Sequence, residues 1–381
     1  MYQIGSISTP GTCTQGKLLQ YVPGLDADQP IIPLPGRVVS QCGVPSILTE
    51  VDSGLYLFVA GQADHPSSPF CAPWPLSPLC LHYRAQSAAW DLIRLPDRVD
   101  GIQRFVSGIP SAVAHDRTVL VYFNGGQLLE YQRISDSEWS VSAVPVPDVV
   151  VDANPVAAVA GGKVYVLAAP RGEGLLLCER ELGIEEWRFR DLGAESAVHR
   201  FDGDPAVVEF AGKLHIFVSG AVIDPMTPMQ EACELWDFQV KLDGTGVEAC
   251  SVSAVAGFRQ GALPVRVTGT PTAVVSHPTM QVFVRSGAGR LVEFRSADGE
   301  RWESLPVSQD TVGGNAGAVV SDNAGSLVYA TDRMGYLTEF RESQGAWQER
   351  RISRTSGEAE RWPRAVACAR QVRVFDLDVA V

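Results

Sequence analysis

A short apolar strand recurs seven times along this chain, usually led by proline, and that repeat restricts the fold more than any other feature. The copies are VPSILTE at 44, IPSAVAH at 109, NPVAAVA at 154, DPAVVEF at 204, TPTAVVS at 270, NAGAVVS at 315 and WPRAVAC at 362. Proline is tolerated as the first residue of a strand, where no ladder donor is yet needed. A second apolar strand follows most copies: LYLFV, VLVYF, KVYVL, LHIFV, QVFVR, SLVYA and VRVFD. A third comes next (CLHYR, LLEYQ, LLLCE, LWDFQ, LVEFR, LTEFR), and a tryptophan often opens a fourth: Trp90, Trp139, Trp187, Trp302 and Trp347. Four short antiparallel strands in a unit of about 40 to 65 residues is the pattern of a propeller blade.

The seventh unit stops after two strands, at VRVFDLDVAV, and its missing strands stand at the other end, as KLLQY (17–21) and PIIPLP (30–35). The expectation is therefore an all-β, seven-bladed β-propeller whose last blade is closed by N-terminal strands pairing with C-terminal ones, which hides the strand edges. Its blades fall at about 41–97, 108–147, 153–193, 204–253, 268–307, 313–353, and 362–381 with 1–35, in a single domain. Two stacked sandwiches would not explain the complementary ends.

Composition agrees with many short strands joined by turns, since 36 glycines and 25 prolines are spread along 381 residues. A formal charge of −13 with no basic stripe argues against nucleic acid as a partner. No apolar run approaches the roughly 18 residues of a membrane helix, so no membrane partner is expected. The N-terminal MYQIGSISTPGTCTQG has neither a basic n-region nor an apolar h-region. The compartment stays unknown, because a chain with its leader removed would look the same, and homo-oligomerisation stays open. The cysteines show no zinc spacing. Cys71 and Cys80 flank a Pro-rich loop and suggest a disulfide, whereas Cys178 and Cys368 sit in apolar strands as buried thiols.

The third- and fourth-strand pattern, clearest in LVEFRSADGERW (291–302), then LTEFRESQGAW and LLEYQRISDSEW, resembles the fungal fucose-specific lectin superfamily and related bacterial propeller lectins. The resemblance implies a second-strand arginine and a third-strand glutamate that clamp sugar hydroxyls. Arginine supplies a rigid donor fork and glutamate the acceptors. Aligned unit by unit, the corresponding pairs are Tyr56 and His82, Leu120 and Glu130, Lys163 and Leu177, His215 and Asp237, Gln281 and Glu293, Leu327 and Glu339, and Arg373 and Gln20. No unit keeps both members, so the multivalent sugar sites are read as lost. The remaining glutamates then read plainly as solvent-facing strand residues.

A single asymmetric pocket at the mouth of the central channel is the alternative, because loops on a rigid scaffold commonly carry function. Four of the loops leading into the inner strands carry an arginine beside an aromatic residue: Arg104-Phe105, Arg200-Phe201, Phe258-Arg259 and Arg361-Trp362. His199, Asn154, Asp204, Thr270 and Asn315 join the same rim, and Trp74 lies in an insertion at 61–80. A second insertion, at 220–233, would help roof the pocket. Arginine beside an aromatic ring suits a planar, oxygen-rich, partly apolar ligand. His199, Arg200, Arg104 and Arg259 are the candidate catalytic residues, with His199 able to exchange protons near neutral pH. Phe105, Phe201, Phe258, Arg361, Trp362, Asp204, Asn154, Asn315 and Trp74 are the candidate ligand contacts.

Common nucleophile, zinc, phosphate-loop, dinucleotide and calcium signatures are absent from the sequence, so neither metal nor cofactor is expected. The resemblance implies two functions. One is fucose or glycan binding through degenerate sites. The other is that of superfamily members acting in natural-product biosynthesis as cofactor-independent hetero-Diels–Alderases on tropolone-derived quinone methides. The lost pairs and the arginine–aromatic rim favour the second, and a protein-interaction scaffold is the third alternative.

Overall fold

The computed structural model describes residues 16–21, 46–51, 54–61, 76–84, 89–147, 154–168, 174–194, 198, 200–222, 232–259, 265–321, 325–334, 336–343, 345–354, 364–368 and 371–379. Its strands form seven antiparallel sheets and one short hairpin. Six sheets have four strands in simple up-and-down order. Their innermost strands are Ser46–Val51, Ser107–His115, Val156–Ala160, Arg200–Phe210, Val267–Ser276 and Gly317–Ser321. The seventh sheet joins Arg364–Cys368, Gln371–Val379 and Gly16–Tyr21. Gly16 pairs with Val379 and Tyr21 with Val374, so the first and last parts of the chain share one sheet. Residues 30–35, expected as its fourth strand, lie outside the described residues. Each innermost strand lies against that of the next sheet, and Arg364–Cys368 lies against Ser46–Val51.

The core is a series of layers between sheets. In five sheets the second strand presents an aromatic residue toward the following sheet: Phe58, Tyr122, Tyr165, Phe217 and Phe283, all buried. The fourth-strand tryptophan of the following sheet meets this ring edge-on in four of these layers. The pairs are Phe58–Trp139, Tyr122–Trp187, Phe217–Trp302 and Phe283–Trp347, with centroids 5.4 to 6.4 Å apart. Edge-to-face pairs add about 0.5–1.5 kcal/mol each beyond their burial. The recurring tryptophan is thus a wedge between sheets.

Three segments depart from the sequence reading. Residues Val252–Arg259 form a helix, not a loop. Ser251 caps it, its Oγ accepting the Ala254 N–H at 3.1 Å, and Val252 and Ala256 are buried against sheet five. Arg98–Val99 and Ile102–Gln103 form a hairpin whose turn, Asp100-Gly101, has φ of 51° and 76°, as a two-residue Asp-Gly turn requires. In sheet four the second and third strands extend over Lys213–Val222 and Ala232–Lys241, which narrows the insertion read at 220–233 to 223–231, outside the described residues. Cys80 is a free, buried thiol on a third strand rather than half of a disulfide; Cys178 is buried and free, as expected. Burial raises the pKa of both thiols, that of Cys178 to about 12.

Candidate functional site

The start of each innermost strand sets the geometry around the cavity. Gly108, Gly203 and Gly269 take φ of 71°, 86° and 79°, and strand register shifts there, between Ser107 and Ser111, Asp202 and Ala206, and Thr268 and Thr272. The Gly-X-Pro sequence is thus a β-bulge signature. Glycine is required on two counts. Its φ is positive, and a Cβ at Gly108 or Gly269 would come within 2.2 or 2.4 Å of the Asn154 or Asn315 side-chain oxygen.

Those oxygens belong to a hydrogen-bonded relay that runs from sheet to sheet. Asn154 Oδ1 accepts the Ile109 N–H at 2.6 Å, and its Nδ2 donates to Asp204 Oδ2 at 2.8 Å. Thr270 Oγ1 accepts the Asp204 N–H at 2.9 Å, and Asn315 Oδ1 accepts the Thr270 N–H at 3.1 Å. The polar residues read as a rim are therefore brought together, and each ties its sheet to a neighbouring one. Beside the relay lies a cavity of about 250 Å³ lined by Ile109–Ser111, Asn154–Val156, Asp204–Val207 and Thr270–Ala273. Each of these strands is the edge of its sheet, so its outer row of backbone N–H and C=O groups borders the cavity alongside the side chains.

The arginine–aromatic pairs are less uniform than the sequence suggests. Phe105 is 46% exposed and Arg104 half-buried. Arg200 is exposed at the start of its strand, opposite Ala221. Phe201 is not on the open rim: it packs on Phe238 at 6.3 Å in the layer between sheets three and four. Phe258 and Arg259 end the helix, with side chains outside the described residues. His199, Arg361, Trp362 and Trp74 also lie outside them. Among the described residues no group of three or more His, Cys, Asp and Glu is placed to hold a metal ion.

The glutamates retained at the lectin-like positions are buried rather than solvent-facing: Glu130 is 8%, Glu293 0% and Glu339 4% exposed. They point into the clefts between sheets because they share a face with the second-strand aromatics. Glu293 accepts from Gln281 Nε2 (2.7 Å), Arg295 Nε (2.8 Å), Arg295 NH2 (2.7 Å) and Trp347 Nε1 of sheet six (2.9 Å). Ser326 Oγ of sheet six donates to Gln281 Oε1. Glu130 accepts from Tyr122 Oη at 2.6 Å and from Arg180 of sheet three at 2.8 Å to both oxygens. The Arg180 guanidinium lies 5.1 Å from the Trp187 ring centre. Tyr122 is held far above the usual phenol range by burial and by Glu130. Glu339 accepts from Tyr329 Oη at 2.9 Å.

Strand register corrects two of the aligned pairs. In sheet five Gln281 faces Arg295, so its glutamate lies two residues earlier on the third strand. By the same offset Lys163, which faces Glu181, belongs with Glu179 and not Leu177; Lys163 Nζ and Glu179 Oε1 are 4.0 Å apart. Tyr56 faces His82 directly, so the matching third-strand residue in sheet one is Cys80. The missed signal was the aromatic residue two places after each second-strand position, which fixes the register by itself.

No protein-family model matches the chain, and no curated protein matches it by sequence. Among solved structures it is similar to the BP39L lectin from Burkholderia pseudomallei. The TM-score is 0.61 at 14% identity, over 89% of this chain and 96% of the lectin. It is also similar to an ulvan lyase, a polysaccharide lyase, with a TM-score of 0.51 at 13% identity over 84% of this chain and 86% of the lyase. These likenesses are of fold, and they support a lectin-like β-propeller. No helix among the described residues is long and apolar enough to cross a membrane.

Proposed function

We propose that the seven sheets are the blades of one closed seven-bladed propeller, and that the chain binds a small oxygen-rich molecule at the mouth of its central channel. The observation that carries this reading is the 250 Å³ cavity bounded by four innermost strands. Its lining offers Ser111, Asp204, Thr270 and Thr272 between prolines, with edge-strand backbone groups beside them. That mixture suits a ligand with hydroxyl or carbonyl oxygens on a flat or compact body. Sugar binding in every cleft is disfavoured, since Glu130 and Glu293 already spend their acceptors on protein donors.

The finer reading is a cofactor-independent enzyme of natural-product biosynthesis, of the hetero-Diels–Alder type on a tropolone-type quinone methide. Such a pocket acts mainly by orienting two reactants, an effect of up to about 7–11 kcal/mol at best. Arg104, Arg200, Arg259 and His199 are the proposed donors toward a carbonyl oxygen; Arg104 and Arg200 are not among the residues lining the cavity, so they would act on a reactant that extends beyond it. A second reading, a single carbohydrate in the same cavity, is favoured by the polar lining.

Calorimetric titration with L-fucose, fucosylated oligosaccharides and a hydroxylated tropolone tests both. One ligand per chain, lost in Asp204→Ala and kept in Glu130→Gln, is the expected result. Several sugars per chain would overturn the central site.

A further inference from the structure

Four arginines gather around one glycine-rich turn, Ser286-Gly287-Ala288-Gly289-Arg290, between the second and third strands of sheet five. We propose that this turn binds the anionic group (carboxylate, sulfate or phosphate) of a small organic ligand. The proposal is independent of the central cavity.

Arg285 is held in place before any ligand arrives. Its Nε and NH2 donate to Thr268 Oγ1 at 3.3 and 3.1 Å, and its NH1 reaches Gly313 O at 3.5 Å. Thr268 stands directly opposite it in the ladder. A guanidinium has five N–H donors, so Arg285 keeps donors in reserve with its plane already fixed. Arg266 adjoins the turn, its carbonyl accepting the Gly287 N–H at 2.8 Å. A Cβ at Gly289 would lie 3.6 Å from Arg333 NH2, which brings sheet six to the same turn. Arg290 closes the turn, its N–H bonded to Ser286 Oγ at 3.2 Å.

Arg266, Arg290 and Arg333 are exposed and have no carboxylate partner among the described residues. The nearby Asp332 is already engaged: it pairs with Arg351 at 3.1 Å and accepts the Met334 and Tyr336 N–H groups. In a chain with 44 acidic and 31 basic side chains, such a concentration of unpaired cations is unfavourable until an anion joins it. Gly287 and Ala288 are exposed, so the backbone of the turn is accessible to one. Met334, 66% exposed beside Arg333, gives an organic ligand an apolar contact. The chain's overall negative charge disfavours a long polyanion, so the fit is to a small molecule.

The test uses the full chain at low ionic strength, where such contacts are least screened. Inorganic sulfate and glucuronate are titrated separately by calorimetry, and then in competition. The expected result is one saturable site per chain at which the two compete. Affinity should fall at least about tenfold in the R290Q/R333Q double variant, the equivalent of about 1.4 kcal/mol. It should stay unchanged in R301Q, where an exposed arginine paired with Asp298 is removed from another turn. Equal affinity in the double variant, or no saturation by either anion, would overturn the site. Sulfate binding that glucuronate cannot displace would overturn the organic ligand.

Discussion

Between sheets five and six, Glu293 receives four N–H donors, two on each oxygen, from Gln281, Arg295 and Trp347. Between sheets four and five, the corresponding Asp237 receives two, from His215 at 2.9 Å and Gln239 at 3.0 Å, both on Oδ2. Asp237 Oδ1 and His215 Nε2 are buried without a protein hydrogen-bond partner. The two carboxylates occupy the same repeat position, and both are fully buried. The difference is the cation. Arginine brings five donors in a fork and can saturate a carboxylate; a histidine ring nitrogen brings one. Near Asp237 the additional cation, Lys213, reaches Gln239 instead, at 2.8 Å. One cleft has become a satisfied polar clamp between sheets, and the other holds a buried pair with acceptor capacity to spare.

Breaking the first clamp should have the largest effect. Glu293→Ala removes the acceptor shared by Gln281, Arg295 and Trp347, although Arg295 keeps Glu342 at 3.0 Å, and should lower stability by about 1–3 kcal/mol in urea unfolding. A loss below about 1 kcal/mol would mean that the cleft rearranges freely and that the clamp adds little. The double replacement His215→Leu with Asp237→Leu should behave in the opposite way. Removing both members of an incompletely satisfied buried pair should cost less than about 1 kcal/mol or raise stability. A large loss there would show that the pair is held by groups beyond those named.

The smallest expected effect is one of pH, in the cleft between sheets one and two. His82 stacks on Tyr56 at 4.3 Å, and burial followed by the Arg84 charge holds its pKa below the ordinary 6.5. The unfolded chain therefore takes up this proton more readily than the folded one. Stability should decline as pH falls through 6.5 toward the folded value, then level off. Thermal unfolding of His82→Phe between neutral and mildly acid pH should show a shallower slope than the parent chain. An unchanged slope would assign that dependence to another group.

These clefts also show how far the residues speak for themselves. The loss of the arginine from the second strand is visible in Leu120, Gln281 and Leu327, and the structure leaves that reading standing. What replaced it is not visible. Arg180 reaches Glu130 from 50 residues away in the chain, and Trp347 reaches Glu293 from 54 away. Nothing local in either segment announces the partner. Similarly, Asn154, Asp204 and Asn315 were recognisable as a set because each begins a strand copy. That they tie one sheet to another follows only from the fold, where the bulges at Gly108 and Gly269 of the preceding sheets present the Ile109 and Thr270 N–H groups to Asn154 and Asn315.

The sequence by itself determined the all-β character, the seven-fold repeat of short strands and the sharing of one sheet by the two ends of the chain. Those follow from hydrophobic periodicity and turn residues, which act over a few positions and are written locally. Tertiary structure decided which polar groups are spent on holding sheets together and which stay open to a ligand. A side chain's hydrogen-bond partners depend on distance in space, and between adjacent sheets that distance is not encoded by neighbours in the chain. The same chemistry that reads as a binding site in one strand becomes a clamp once the next sheet closes over it.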